Sequence, residues 1–147
     1  MTVYHSIATL IGTPVPGAAS IPANTAGVAV LSGALKPMGT MNRVGVQVSV
    51  PAGGSSAGTL TVSISLDPAS QNDSLASIAR YVPVATVTLT AGAISAVTTV
   101  PGVVLVGPTT GSDTALRLDN AFRTMLVSYT NASGAGTMLV FASGVGP

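Results

Sequence analysis

The chain has 147 residues, of which 47% are hydrophobic and only 6% charged, with a net charge of +1, no cysteine and no glutamate. Ordinary soluble domains are about 25% charged, and disordered chains pair few apolar residues with high net charge, so this composition describes a folded chain with an unusually uncharged surface. It excludes disulfide and thiolate-metal chemistry, gives no basic footprint for nucleic acid, and contains no apolar run near the ~20 residues of a membrane helix.

Residues 1–25 stand apart. Pro14, Pro16 and Pro22 lie among Gly and Ala, which predicts an extended N-terminal arm that pairs or drapes rather than forming a core strand. With no Lys or Arg before its short apolar middle, a cleaved signal peptide is not expected. Val3, Tyr4, Ile7, Leu10 and Ile11 form an apolar stripe on this arm and are candidate interface residues. Residues 26–147 then read as one domain. GVAVLSG (27–33) is a short strand candidate. LKPMGTMNR (35–43) is a loop whose Met38 and Met41 are candidate anchors for a neighbour's pocket. RVGVQVSV (43–50) alternates, with Val44, Val46, Val48 and Val50 on one face. TLTVSISL (59–66) alternates again, placing Leu60, Val62, Ile64 and Leu66 inward. The flexible PAGGSSAG between them suggests a hairpin.

Residues 67–79 break the pattern with DP and QND turn signals, leaving room for one helical turn at 73–78. VATVTLT (84–90) and ISAVTTV (94–100) flank AGA as a second hairpin. Val103–Val106 is a short buried run and TALRL (114–118) a short strand. RTMLVSYT (123–130) and TMLVFA (137–142), joined by NASGAG, form a third hairpin. About eight or nine strands with a turn every ten or so residues predict an all-β fold, an antiparallel β-sandwich or jelly roll.

The means for catalysis are sparse. His5 is the one histidine and sits in the arm, where a Ser/His/Asp constellation would lack rigid support. Four dispersed aspartates make no zinc site. DPASQND offers oxygens to calcium at Asp67 and Asp73, yet reads more simply as a turn. Asp119 is placed to pair with Arg117 or Arg123 at a strand end. Asn131-Ala132-Ser133 matches a glycosylation sequon, a triplet common by chance. The expectation is a protein without cofactor or metal that works by binding other surfaces and is not an enzyme.

The succession of an alternating strand, the SLDPASQND loop, hydrophobic strands and RTMLVSYTNASGAGTMLVFAS resembles small capsid cement or decoration proteins of tailed bacteriophages. In that group a strand with an S-x-D turn precedes a closing hairpin, to which Arg123, Leu126 and Tyr129, the Gly-rich 133–136 and the final Val/Phe strand are similar. The resemblance spans about residues 59–142. It implies a virion protein, made in the host cytoplasm, that binds the outer shell where major capsid subunits meet. A homo-oligomer, dimer or trimer, at capsid symmetry axes is the implied state. The physics is compatible: many identical sites multiply weak contacts, and an uncharged surface buries without stranding charges. The alternatives are another assembly subunit, of a tail, fibre head or pilus-like structure, and a carbohydrate-binding sandwich module. Only Tyr4, Tyr81, Phe122, Tyr129 and Phe141 would serve the latter as aromatic platforms.

Overall fold

The computed structural model describes residues 4–12, 18–22, 28–36, 43–51, 53–119 and 122–146. These form eleven strands: β1 (Tyr4–Ile11), β2 (Ala19–Ile21), β3 (Val28–Leu35), β4 (Arg43–Ser49), β5 (Ala57–Ser65), β6 (Val82–Thr90), β7 (Ala93–Thr99), β8 (Val103–Leu105), β9 (Asp113–Leu118), β10 (Thr124–Ser133) and β11 (Gly136–Gly146). They build two antiparallel sheets. Sheet 1 runs β1-β11-β4-β9-β8, with β2 also on β11, and sheet 2 runs β3-β10-β5-β6-β7. The fold is all-β and the sheets form a sandwich.

Alternation along each strand sorts the side chains. In sheet 2 the rank Tyr129–Leu60–Val87 lies across three paired strands and is fully buried. In sheet 1, Val44, Val46 and Val48 of β4 meet Leu118, Leu116 and Thr114 of β9 on the inner face. Val50 continues the buried series, so all four valines of the 43–50 run point inward.

Partner choice differs from the local reading. β4 belongs to sheet 1 and β5 to sheet 2, and the same division separates β11 from β10. Neither 43–50 with 59–66 nor 123–130 with 137–142 is a hairpin; the connecting loops cross from one sheet to the other. Of the three expected hairpins, β6–β7 forms. β10 instead inserts between β3 and β5, and β11 between β4 and the β1 and β2 edge. Alternation fixes which face of a strand is apolar, but either sheet offers a matching inner face, so proximity in sequence does not decide pairing.

Within the first 25 residues, the two described strands pair into the sandwich. β1 pairs with β11 from Tyr4↔Gly146 to Ile11↔Val140, and β2 pairs with Gly136–Met138 of the same strand. A register shift between Thr9 and Ile11 leaves Leu10 as the extra residue of a bulge. Two consecutive side chains thereby turn inward, and Leu10 (8% exposed) and Ile11 (3%) join the core with Ile21. The chain leaves the sheet at Ser65, so Leu66, expected inward, lies one residue past β5 and is 64% exposed.

Between β5 and β6 the chain makes two 3₁₀ turns, Pro68–Gln71 and Ala76–Ile78. Asp67 caps the first, accepting from the backbone N–H of Ala69 at 3.0 Å and of Arg80 at 3.3 Å. Ser65 Oγ donates to Arg80 O, Gln71 Nε2 donates to Arg123 O, and Lys36 pairs with Asp73. These bonds draw the excursion back over one end of sheet 2.

Candidate interaction surface

The predicted interface residues do not converge on one exposed patch. Leu10 and Ile11 are core residues, spent on holding β1 and β11 against the rest of the sandwich. Tyr4 and Ile7 occupy β1 opposite Gly146 and Ser143. Val3, Met38 and Met41 lie outside the described residues.

The candidate chemical groups are likewise occupied or apart. His5 is in β1 opposite Val145. Among the described residues no three His, Cys, Asp or Glu side chains gather as a metal site. Asp67 turns its carboxylate to the Ala69 and Arg80 backbone N–H groups, which hold its pKa below the usual carboxylate value. Asp73 turns to Lys36, whose hydrogen bond and charge lower it also. The two oxygen sets therefore serve separate partners. Asp113 accepts from the hydroxyls of Ser49 and Ser112. Asp119 accepts from Arg117 through Nε and Nη2, both at 3.1 Å, and lies 3.8 Å from Arg43 Nε; Arg123 is not its partner.

Asn131 is fully buried. Its Nδ2 donates to Pro22 O at 3.1 Å and Gly134 O at 2.9 Å, while its Oδ1 accepts from the Tyr129 hydroxyl at 3.4 Å. The sequon amide is thus a structural donor, closed to glycosylation in this fold. Burial pushes the Tyr129 hydroxyl above the usual phenol pKa.

The exposed surface of the described residues comes in three kinds. The outer face of sheet 2 is a hydroxyl lattice: Ser32, Ser128, Thr61, Thr86 and Thr98 form one rank across five strands, and Thr130, Thr59 and Thr88 lie in the next. No strand of this sheet carries a charged residue. Threonine suits the site because its branched carbon favours the strand and its hydroxyl stays hydrated.

Beside the excursion, Ile64, Leu66, Pro68, Val82, Pro83 and Val100 line a mostly apolar groove of about 780 Å³, with Asp67 and Arg80 also in its wall. Ile78 (70% exposed), Val82 (62%) and Leu66 stand in solvent at this end. Sequence reading missed this patch. Its signal was present in the run of Leu66, Leu75, Ile78 and Val82 through a segment otherwise made of turn residues.

The third surface is the outer face of sheet 1. A depression of about 540 Å³ has Phe141 and Val106 as walls, Gly45 and Ala115 as floor, and Arg43 and Arg117 at the rim. This face gathers the charge that sheet 2 lacks.

No family model, curated protein or solved structure matches this chain.

Proposed function

We propose that this chain is a structural virion protein that binds the outside of a capsid and cements neighbouring major capsid subunits as a homo-oligomer. The observation that carries this reading is the segregation of charge on the surface. Sheet 2 presents an outer face without a charged residue on any of its strands, and Leu66, Ile78 and Val82 stand exposed at its end. Apolar side chains held in water lose about 25 cal/mol per Å² relative to burial, which favours covering them. An uncharged hydroxyl face docks without the several kcal/mol that desolvating an unpaired ion costs. Such contacts are individually weak, and a shell of repeated identical sites makes them sufficient by avidity.

We read the connectivity as a jelly roll, an architecture suited to this role because the last two strands, β10 and β11, sit inside sheets rather than at their edges. β10 and β11 each lie between strands formed much earlier in the sequence, so pulling on the body must break two ladders at once. The test is sedimentation of the purified protein with expanded capsids that lack decoration. Saturable co-sedimentation at a fixed ratio to major capsid protein is the expected result, and its absence overturns the proposal. Assembly of the isolated protein into tubes or fibres would move the reading to a tail or fibre subunit.

A further inference from the structure

Gly45 lies in the middle of β4, a central strand of sheet 1, where glycine weakens the strand by backbone entropy and contributes no packing. Two internal causes commonly require glycine at such a place, a left-handed backbone or a close neighbour, and neither applies. Gly45 is absent from the positive-φ residues. Among the described residues, a side-chain carbon there would meet nothing nearer than the carbonyl oxygens of Leu116 and Ser143, both at 3.8 Å, which is ordinary contact. Phe141, on the next strand, stands opposite Gln47 and brings no atom within 4 Å of that carbon. Glycine in a strand with no internal reason marks a place that something else approaches closely.

The surroundings say what kind of thing. Register sets Gly45 between Ser143 of β11 and Arg117 of β9, with Arg43 and Gln47 two residues away on the same face of β4. Ala115 extends the low floor, and Phe141 and Val106 (57% exposed) rise as apolar walls. Of the five basic and four acidic residues in the chain, Arg43, Arg117 and Asp119 meet here. Asp119 is engaged bidentately by Arg117. Arg43 reaches it at 3.8 Å with its side chain 67% exposed, so the rim keeps one net positive charge and unspent guanidinium donors.

We propose that this depression receives an extended polypeptide segment of a partner, its backbone lying over Gly45 and Ala115, a small apolar side chain between Phe141 and Val106, and a carboxylate on Arg43. The inference deepens the assembly reading and rests on it for the source of the segment, a surface strand or loop of the subunit to which the chain attaches.

The probe is a yeast-displayed library of random twelve-residue peptides panned against the full chain, followed by the best peptide in synthetic form. Enrichment of peptides with Asp or Glu beside small apolar residues is expected. Gly45→Val should weaken the synthetic peptide at least about tenfold while leaving the melting temperature equal or about 2 °C higher, because a β-branched residue suits the strand. Arg43→Glu should weaken it comparably, and changing the peptide's carboxylate to an amide should abolish the difference between wild type and Arg43→Glu. Ala115→Leu fills the same floor from β9 and gives an independent reading should Gly45→Val fold poorly. Absence of enrichment, enrichment of basic peptides, a saccharide that binds there instead, or peptide binding indifferent to both floor substitutions overturns the inference. Acidic-peptide binding by a chain that ignores capsids would sink the cement reading alone. Capsid binding untouched by Gly45→Val and Ala115→Leu would sink this inference alone.

Discussion

The two ends of the sandwich are built on opposite plans. At one end the loops after β4, β6 and β10 are almost all Gly, Ser and Ala. At the other the chain carries Lys36, Asp67, Asp73, Arg80 and Arg123 together with exposed Leu66, Ile78 and Val82. By composition the first end reads as slack and the second as anchored. The structure overturns the first of these readings. At the glycine-rich end, Ser55 N–H donates to Ala135 O at 2.7 Å and Gly92 N–H donates to Ser56 O at 2.8 Å, so three loops interlock by backbone. Gly92 has φ +76°, and a side-chain carbon on it would fall on the Gly54 carbonyl. There glycine permits close backbone packing rather than flexibility. At the other end, side chains that would strengthen a core are left in water. One end closes the fold, and the other keeps apolar side chains in solvent.

Substitutions that break the interlock should have the largest effects. Gly92→Val should cost about 2–4 kcal/mol in urea unfolding, from backbone strain and overpacking together. An ordinary surface-loop response within about 0.5 kcal/mol would show that the end is slack after all. Asn131→Ala, which removes the buried amide that donates to the carbonyls of Pro22 and Gly134, should cost about 1–3 kcal/mol and speed hydrogen exchange at the β10–β11 turn.

The opposite end should respond the other way round. Leu66→Ser, Ile78→Ser and Val82→Ser should each leave stability within about 0.5 kcal/mol, since each side chain is already in solvent. Combined, they should reduce capsid co-sedimentation about tenfold or more if the patch is a binding centre. The smallest expected effect is acid sensitivity. Asp67 has a folded pKa lowered from 3.8 by the Ala69 and Arg80 N–H groups. Its contribution is therefore present above that value and fades as pH falls through the lowered one. Asp67→Asn should flatten the acid limb of stability below about pH 4, measured by thermal unfolding across pH, lowering stability slightly at neutrality and leaving it unchanged at the acid end where the wild-type carboxyl is protonated.

Much of the fold is legible in the strand texture. The runs at 43–50, 84–90, 94–100 and 114–118 are strands, and Val44, Val46, Val48, Leu60 and Val62 point inward as their alternation requires. The partners are not legible, because an alternating strand suits either sheet and the loops after β4 and β10 have compositions that serve a hairpin or a crossover equally. The role of the amino-terminal segment was hidden by its prolines. The bulge at Leu10 draws the segment into the core. The surfaces were legible only in part. Low charge announced that much of the exterior is neutral, but not that threonines of four strands align in ranks or that Gly45 opens a floor beside Arg43.

By itself, then, the amino-acid sequence determined the class of the fold, through period-two apolarity, and a scarcity of catalytic groups, through its single histidine and lack of cysteine and glutamate. Tertiary structure alone decided which strands became neighbours, since pairing is a long-range choice made by both inner faces together. It also decided which glycines are locked, which apolar residues stay wet and which few charges meet. Those depend on distances between segments far apart in the chain, and no local pattern encodes them.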